Sequence, residues 1–352
     1  MSTTTPLLQQ QHSDKPLPSV GMLRPMGILE RIAYNVAFYV LGLPVFPALI
    51  GSVVLRLRNA RRAAEAPDRQ GASITALWVL LTRASLDTLG LRPDPGARKL
   101  QAASPLASPL FNFCNAVSLM HMRACIAVSS LASLRFGTDP RVNYTRTQAV
   151  VQGRLLFFDG CLEYLRPTTQ QLVIMGAGYD TRAINNACGG ASVVYEVDRP
   201  ETQAQKIKLM AKTGLKNALE TKYVACNFNN ESPWDKLAQT GFDRTKPFVV
   251  TWEGVSYYLP EDVVVDFLTK AGAVMKGNRN ACLVFDYFFA EKKKELLRGR
   301  GVFVKSIGEE WLTFLPSGAK FDNYLRDHNI PLRVFDRACI TYAGFVMLVP
   351  TA

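Results

Sequence analysis

The stretch that decides the fold is QLVIMGAGYDTR, residues 171–182. Its first part, Gln171–Met175, is a short apolar run, and Gly176 and Gly178 follow it at once. An apolar run of this length that ends at a glycine is typical of a buried parallel strand. A glycine turn after such a strand lets a ligand approach the backbone at the carboxyl end of a sheet. The stretch therefore predicts a ligand site on a parallel sheet.

The chain on the carboxyl side of this stretch has the pattern of an open α/β sheet. Helices are predicted at Pro200–Lys212 and Leu259–Met275, each with a proline near its start. Strands separated by helices of this length predict a doubly wound sheet. The further strands are predicted at Ala191–Val197, Tyr223–Cys226, Pro247–Trp252, Ala281–Phe289, Leu332–Phe335 and Ile340–Val349.

The glycine turn departs from the pattern that binds dinucleotides. Thr181 stands where a dinucleotide site has its third glycine, and the Asp180 carboxylate would repel a pyrophosphate. Asp198 ends the second strand about twenty residues after Gly176, where a carboxylate accepts both hydroxyls of a ribose. The alternative role for Asp198 is to cap the next helix. Together these features favour a nucleoside ligand without a phosphate, of which S-adenosylmethionine is the obvious one.

Three strings resemble the leucine carboxyl methyltransferase family. They are QLVIMGAGYDTR (171–182), YEVDRP (195–200) and WEGVSYYLP (252–260), and the resemblance runs from about Ser73 to the C-terminus. The family joins protein phosphatase methyltransferases with bacterial O-methyltransferases. It implies a class I methyltransferase fold, which is Rossmann-like, with a seven-stranded sheet whose last strand is antiparallel. Ile340–Val349 would be that strand, and S-adenosylmethionine would be the cofactor.

The resemblance also implies a role for each cofactor-binding residue. Arg154 would pair with the methionine carboxylate of the cofactor, a task suited to a bidentate guanidinium. Asp198 would hold the ribose. Glu253, at the end of the fourth strand, would lie near the methionine amino group and the reaction centre. Gly176 and Gly178 would line the cofactor.

Two further pairs of residues take their expected roles from the same resemblance. Asp180 and Arg182 would brace the glycine turn by an ion pair or by backbone hydrogen bonds. Asn227 and Phe228 stand where the family usually has Asp-Leu or Asp-Phe beside the adenine. Asn227 can still accept a hydrogen bond from the adenine amino group, and Phe228 can stack on the ring. The departure is expected to change affinity without abolishing the site.

The catalytic candidates are Glu253, Tyr257 and Tyr258, and the two tyrosines would border the acceptor pocket. A carboxylate acceptor needs no general base because it is ionised at neutral pH, whereas a hydroxyl acceptor gains from one. His121 is a candidate base, but a single histidine between two methionines is more typical of packing. The lack of an evident base favours a carboxylate acceptor.

Several functions remain open at this point. The first is an S-adenosylmethionine-dependent O-methyltransferase that acts on a carboxylate or hydroxyl of a small, lipophilic acceptor. The second is a protein carboxyl methyltransferase for a C-terminal leucine. The third is a non-catalytic scaffold on the same fold, which the retained site residues argue against. A nicotinamide dehydrogenase is disfavoured by Thr181.

Composition excludes other classes. The chain has 352 residues and a net charge of +12, but the charge is spread out and no nucleic-acid motif is present. The densest basic stretch, residues 292–300, is interpreted as a solvated helix face. The seven cysteines form no C-x-x-C pair and there are three histidines, so we expect no metal site and no disulfide scaffold. Free thiols suit a reducing compartment.

Ile32–Leu55 is a run without a single charged side chain, and Arg56, Arg58, Arg61 and Arg62 follow it. As a helix it would span about 30 Å of hydrocarbon or slightly more. Three interpretations stay open: a single membrane span kinked at two prolines, a bent hairpin or interfacial helix in one leaflet, and a helix pair buried against the main domain. The pattern favours membrane association, with a cytoplasmic catalytic domain.

The sequence divides into five regions. Residues 1–31 form a polar tail that we expect to be disordered. Residues 32–58 are the hydrophobic membrane-associated segment, and residues 59–72 are a polar linker. Residues 73–168 are mostly helical in pattern, with a break at the prolines near position 107, and would cap the carboxyl edge of the sheet. Residues 169–352 are the predicted S-adenosylmethionine-binding core.

Overall fold

Seven strands form one sheet in the order β3-β2-β1-β4-β5-β7-β6 in the computed structural model, which describes residues 28–65, 72–136 and 146–351. Residues 1–27 of the predicted polar tail and residues 66–71 of the predicted linker lie outside the described residues. Residues 28–31 of the tail and residues 59–65 of the linker are helical, contrary to the prediction. The strands are β1 Gln171–Met175, β2 Val193–Asp198, β3 Glu220–Ala225, β4 Phe248–Trp252, β5 Ala281–Phe288, β6 Leu332–Ile340 and β7 Ala343–Pro350.

The register of β1 explains where the site forms. Its last residue, Met175, lies opposite Val197 of β2 and Trp252 of β4, and both pairings are parallel. The three carboxyl ends therefore meet at one edge of the sheet. Because the chain leaves each strand there, Asp198 and Glu253 are brought to the same place as the glycine turn.

The last strand, β7, runs antiparallel to both of its neighbours, β5 and β6. This confirms the seven-stranded doubly wound sheet with an antiparallel last strand. β6 is longer than the predicted Leu332–Phe335. It continues past an irregularity between Val334 and Asp336, which interrupts the alternation of apolar and polar residues. A tight turn with Thr341 in the left-handed region then leads into β7.

Helices cover both faces of the sheet. α6 packs on one face, and α8, α9 and α12 pack on the other. The predicted break near position 107 is confirmed, since α4 ends and α5 begins on either side of it. The helices are α1 Ile28–Gly42, α2 Phe46–Glu65, α3 Ile74–Thr88, α4 Pro95–Ala103, α5 Pro109–Phe136, α6 Arg146–Leu165, α7 Pro200–Thr213, α8 Pro233–Ala238, α9 Glu261–Met275, α10 Lys293–Leu296, α11 Val302–Ser306 and α12 Ala319–Asp327.

No helix follows β1 directly. Residues 182–186 form turns instead. Asn186 and Gly189 both have a positive φ, which interrupts a right-handed helix. The glycine turn therefore lacks the helix N-terminus on which dinucleotide sites hold a pyrophosphate.

The apolar N-terminal segment forms α1 and α2, joined by a single 3-10 turn at Leu43–Val45. The two prolines of this region cause no reversal of the chain. Residues 35–63 are long and apolar enough to cross a membrane, judged by length and composition only. α1 and α2 pack along α5, and most of their large apolar side chains are exposed. The interpretation as a bent hairpin that reverses at the prolines, and the interpretation as a buried helix pair, are therefore both wrong.

Candidate functional site

A cavity of about 480 Å³ opens at the carboxyl ends of β1, β2 and β4. Its walls come from the glycine turn, from the start of α3 and from the segment around Glu309. All nine residues selected from the sequence line it: Arg154, Gly176, Gly178, Asp198, Asn227, Phe228, Glu253, Tyr257 and Tyr258.

The glycine turn is fixed to the end of β2. Gly176 has a φ of +69°, and a Cβ there would lie 2.2 Å from a methyl carbon of Val255. Gly178, with a φ of +51°, donates its backbone N–H to Oδ2 of Asp198 at 2.5 Å. A side chain at either position would face a strained backbone or a clash. The turn thus presents bare backbone to the cavity.

Asp198 faces the cavity from the end of β2. Its Oδ1 accepts the backbone N–H of Arg199 at 2.6 Å, while Arg199 is itself the N-cap of α7 and makes no side-chain cap. The alternative role of Asp198 as a helix cap is therefore not observed. Burial raises the pKa of Asp198, against the opposing effect of its bonds to Gly178 and Arg199. Each carboxylate oxygen keeps a lone pair for a further donor.

Arg154 projects from α6 into the base of the cavity, and only 3% of it is exposed. Its Nε lies 3.2 Å from Oε1 of Glu253, and its Nη1 donates to the hydroxyl of Tyr257 at 3.0 Å. The same Nη1 lies 3.4 Å from Oδ2 of Asp286. Burial alone would lower the pKa of Arg154, but Tyr257, Asp286 and Glu253 together raise it. The guanidinium is therefore charged.

Glu253 lies between two guanidinium groups. Arg182 donates to Oε2 at 2.9 Å from the side opposite Arg154. Burial favours the neutral acid, but Arg182 and Arg154 lower the pKa of Glu253 below its ordinary value. The carboxylate is therefore ionised and is a weak proton acceptor. It suits a nearby cationic group better than it suits general-base catalysis.

The expected bracing pair is present and belongs to a larger network. Nη1 of Arg182 lies 2.5 Å from Oδ2 of Asp180, and the Arg182 backbone N–H donates to Oδ1. Arg83 of α3 joins Asp180 and Asp94 at 2.9 Å each. The hydroxyl of Thr181 donates to Asp94 as well. Thr181, which stands where a dinucleotide site has its third glycine, is thus bonded to the residue before α4.

Sequence analysis missed Arg83, Asp94 and Asp286. Asp94 precedes a proline and caps α4 through the N–H of Ala97, a start signal visible in the sequence. Asp286 is a single charge in the apolar run of β5, and such a residue needs a buried partner. Arg83 gives no comparable signal, and its partner Asp180 lies 97 residues further along the chain.

Asn227 and Phe228 follow β3 at the far side of the cavity. The backbone N–H of Asn227 donates to Glu231 at 2.8 Å, and its side-chain Oδ1 accepts from the N–H of Asn229 at 3.2 Å. Phe228 packs beside Phe267. The amide side chain is thus held in place by its own loop, with one lone pair of its carbonyl oxygen left over.

The opposite end of the cavity is aromatic. Tyr257 stacks on Phe288 with 3.9 Å between ring centroids. Burial raises the pKa of both tyrosines, that of Tyr258 to about 12, so both are neutral phenols near pH 7. Glu309 accepts the backbone N–H groups of Ile74 and Thr75 at 2.7 and 3.0 Å. These bonds fasten the segment around Glu309 to the start of α3, beside the tyrosines.

His121 does not belong to the site. It is buried on α5, where a ring nitrogen lies 3.0 Å from the carbonyl oxygen of Phe38 in α1. The interpretation of His121 as a candidate base is wrong, and its alternative interpretation as a packed side chain agrees with the structure. Among the described residues, no group of three or more His, Cys, Asp or Glu side chains could hold a metal ion.

The family model for leucine carboxyl methyltransferase matches residues 94–271, just over half of the chain. A protein of Mycobacterium avium (strain 104) named "Putative S-adenosyl-L-methionine-dependent methyltransferase" is 31% identical over 144 residues, which are 40% of this chain and 47% of that protein. A protein of the same name from Mycolicibacterium vanbaalenii is 28% identical over 201 residues, 53% of this chain and 64% of that protein. The matches thus span about half to two thirds of these relatives.

Among solved structures, an O-methyltransferase family protein from Burkholderia thailandensis shares 14% identity with this chain. The superposition has a TM-score of 0.42 and covers 62% of each chain. The matched family region begins at the Asp94 cap and ends within α9, so it contains the glycine turn and most of the cavity wall. The chain belongs to the leucine carboxyl methyltransferase family.

Proposed function

We propose that this chain is an S-adenosylmethionine-dependent O-methyltransferase. One observation carries the proposal: the Gly178–Asp198 pair and the Arg154–Glu253 pair face one cavity at the carboxyl edge of the sheet. A volume of about 480 Å³ lies in the range of small-molecule sites. Family membership supports the same activity.

The residues present fit the groups of this cofactor. Asp198 has lone pairs for the ribose hydroxyls, and the bare backbone of the glycine turn permits close approach. Glu253, held ionised by two arginines, suits the ammonium of the amino-acid end. Arg154 suits the carboxylate, and Phe228 and Asn227 suit the adenine. S-adenosylmethionine supplies an activated methyl group when bound.

The catalytic contribution of the chain would then be alignment and exclusion of water. The segment around Glu309, which is bonded to Thr75, closes one side of the cavity. Glu253, Tyr257 and Tyr258 would shape the reaction centre, and none is suited to remove a proton near pH 7. This supports an acceptor that is already ionised, namely a carboxylate.

The proposed acceptor is a small, lipophilic acid, and the exposed apolar helices supply the reason. We propose that residues 32–55 associate with a membrane, and that the catalytic domain lies on its cytoplasmic side. An apolar acid would concentrate in that membrane. A C-terminal leucine of a protein is the second candidate, and the family match favours it. A non-catalytic scaffold is disfavoured because the charged network around the cavity is intact.

Calorimetric titration of the full-length protein in detergent tests the cofactor. We expect saturable binding of S-adenosylmethionine and S-adenosylhomocysteine, and none of NAD. Transfer of a labelled methyl group should then occur to long-chain carboxylic acids and not to the matching alcohols. Lack of binding of both adenosyl ligands would overturn the proposal. Transfer only to peptides that end in leucine would select the second candidate.

A further inference from the structure

An apolar arm of two antiparallel helices projects from the methyltransferase body. The apolar arm consists of residues 32–63, which belong to α1, α2 and the turn between them, and of α5. A ring nitrogen of His121 lies 3.0 Å from the Phe38 carbonyl oxygen, a Cβ built at Gly51 would lie 3.0 Å from the Cys114 sulfur, and Asn59 donates to Leu106 at 2.8 Å. Residue numbers increase along one side of these three contacts and decrease along the other. The two helices are therefore antiparallel and lie side by side over most of their length.

Within the part of the chain that the structure describes, the outer surface of this arm is apolar and uncovered. Tyr39 is 71% exposed, Leu43 78% and Met120 72%. Ile32, Val36, Val40, Phe46, Ile50, Val53, Val54, Leu110, Phe113 and Val128 are exposed as well. Single exposed apolar residues need no explanation, but a continuous patch of this kind indicates a partner.

Charge on the arm identifies the partner. Arg58, Arg61, Arg62 and Arg123 are exposed on or beside the apolar surface. Residues 32–62 and 109–136 contain no Asp or Glu. Two such arms would repel each other, so self-association is disfavoured. An apolar surface beside exposed cations fits the interface of an anionic bilayer.

The path of the chain decides how deeply the arm can enter. α5 runs outward from the body and ends at Phe136, and α6 then returns to the core, where Val150 and Phe157 are buried. If the arm crossed the bilayer, the nine residues between Phe136 and Arg146 would have to cross back. They are too few for a spanning helix of about twenty residues, and unpaired backbone is not tolerated in hydrocarbon.

Arg123 supports the same conclusion. It is exposed near the middle of α5, which is the position that a spanning arm would place at the bilayer centre. A charge at that depth is costly, whereas a side chain in the interface can extend to the headgroups.

The base of the arm also touches a wall of the cavity. Ala60 and Ala63 pack against Ile74, Leu77 and Leu80 of α3 in one buried cluster. Leu80, with neighbouring residues of α3, lines the cavity. Because packed helices lie about 8–10 Å apart, the cavity is separated from the arm by one helix.

We infer that the apolar arm lies within one leaflet of an anionic membrane, as a monotopic anchor that places the cavity at the membrane surface. The inference rests on the proposed membrane association and not on the proposed methyl transfer. It replaces a single span with a paired helix in the interface. It also gives a lipophilic acceptor a short route from the leaflet to the cavity.

Depth-dependent fluorescence quenching tests the inference. Leu43 lies near the middle of the apolar run, so Leu43→Trp places a reporter at the deepest point of a spanning arm. Full-length protein is bound to vesicles of phosphatidylcholine and phosphatidylglycerol, with bromine either near the ester or near the terminal methyl of the lipid. The unsubstituted protein supplies the background of its own tryptophans.

We expect stronger quenching by bromine near the ester. Stronger quenching by bromine near the terminal methyl would show a spanning arm and overturn the inference. Equal absence of quenching in both vesicles would show that the arm does not enter lipid, and would overturn it too. A stable dimer in detergent-free solution that fails to bind vesicles would assign the surface to a second copy.

Vesicle flotation of variants provides a second, independent test. Val40→Asp combined with Val54→Asp should lower vesicle affinity by about tenfold or more, because charges enter the apolar surface. The control is Ile207→Asp, which changes an exposed apolar residue of α7 on the body and should leave flotation unchanged. Binding of S-adenosylhomocysteine is measured in parallel. If the unsubstituted protein does not bind S-adenosylhomocysteine, only the proposed function is disproved. If the arm variant floats as well as the unsubstituted protein, only this inference is disproved.

Discussion

The cavity and the apolar arm differ in what they bury: the cavity walls contain buried charged side chains, and the arm has exposed apolar side chains. Around the cavity, Arg154 and Arg182 are almost wholly buried, and each forms ion pairs with buried carboxylates. On the arm, Leu43 and Tyr39 are mostly exposed, and the only charges are positive. The charged groups of the cavity are paired within the chain, whereas the outer surface of the arm has no partner among the described residues.

The difference teaches where each region's stability resides. A buried ion network is costly to assemble but very sensitive to the loss of one member. An exposed apolar arm adds little to folding, since its outer surface gains nothing until a partner covers it. Substitutions around the cavity should therefore change stability and cofactor binding, and substitutions on the arm should change only association.

The largest expected effect is on Arg154. Arg154→Met removes the cation that compensates Glu253 and Asp286, so two buried carboxylates lose a partner. We expect the free energy of unfolding in urea to fall by about 3–5 kcal/mol. The control is Arg166→Met, which breaks an exposed pair with Glu163 and should cost about 0–1 kcal/mol. Equal losses in both variants would contradict the contrast drawn for the cavity.

The next effect concerns Asp198. Asp198→Ala should weaken S-adenosylhomocysteine binding by about 100-fold, the value of two hydrogen bonds to a charged acceptor, while the circular dichroism spectrum stays native. Calorimetric titration measures it. Asp243→Ala removes a carboxylate before β4, at the opposite edge of the sheet, and serves as the control. Tight binding by the Asp198 variant would disprove the ribose assignment.

Local patterns were sufficient to predict the sheet edge. β1 lies at the predicted residues, and β4, β5 and β7 lie within a few residues of theirs, because buried strands are continuous apolar runs. Parallel register then brings strand ends together without further information. This is why residues chosen from three separate strings all line one cavity.

Long-range choices could not be predicted in the same way. Asp286 is distant in sequence from its partner Arg154, and Arg83 is distant from its partner Asp180, so no local pattern reveals these two pairs. The chain after β1 forms turns, and there Asp180 bonds to Arg83 and Thr181 bonds to Asp94, both from the region before β1. His121 packs beside α1 because α5 runs the length of the arm, a pairing that its flanking methionines did not specify.

The pH dependence of stability tests the protonation state of Asp286, a buried residue at the base of the cavity. Burial raises the pKa of Asp286 to about 6, although Arg154 opposes the shift. The folded protein therefore binds a proton at Asp286 that the unfolded chain, with an ordinary pKa near 4, has already released. This residue contributes stability below about pH 4 and loses that contribution as the pH rises to about 6.

Asp286→Asn removes that contribution and keeps an acceptor for the Gly254 N–H. The difference in unfolding free energy, native protein minus variant, should decrease by about 2–3 kcal/mol between pH 4 and pH 6. Urea titrations across this range measure it. A difference that is constant with pH would show that Asp286 is ionised throughout.

The smallest effect belongs to the arm. Arg61→Ala combined with Arg62→Ala removes two exposed cations at its base, each worth about 1 kcal/mol at an anionic surface, so vesicle affinity should fall about thirtyfold. Raising the salt concentration should erase most of the difference, because exposed charges are screened. The control pair, Arg244→Ala with Lys246→Ala, lies just before β4 at the amino edge of the sheet, away from the arm. If both pairs lowered affinity equally, the attraction would come from the overall charge of +12 and not from the arm. If only the arm pair lowered vesicle affinity, and the free energy of unfolding in urea stayed unchanged, the arm would act in membrane binding without contributing to the stability of the fold.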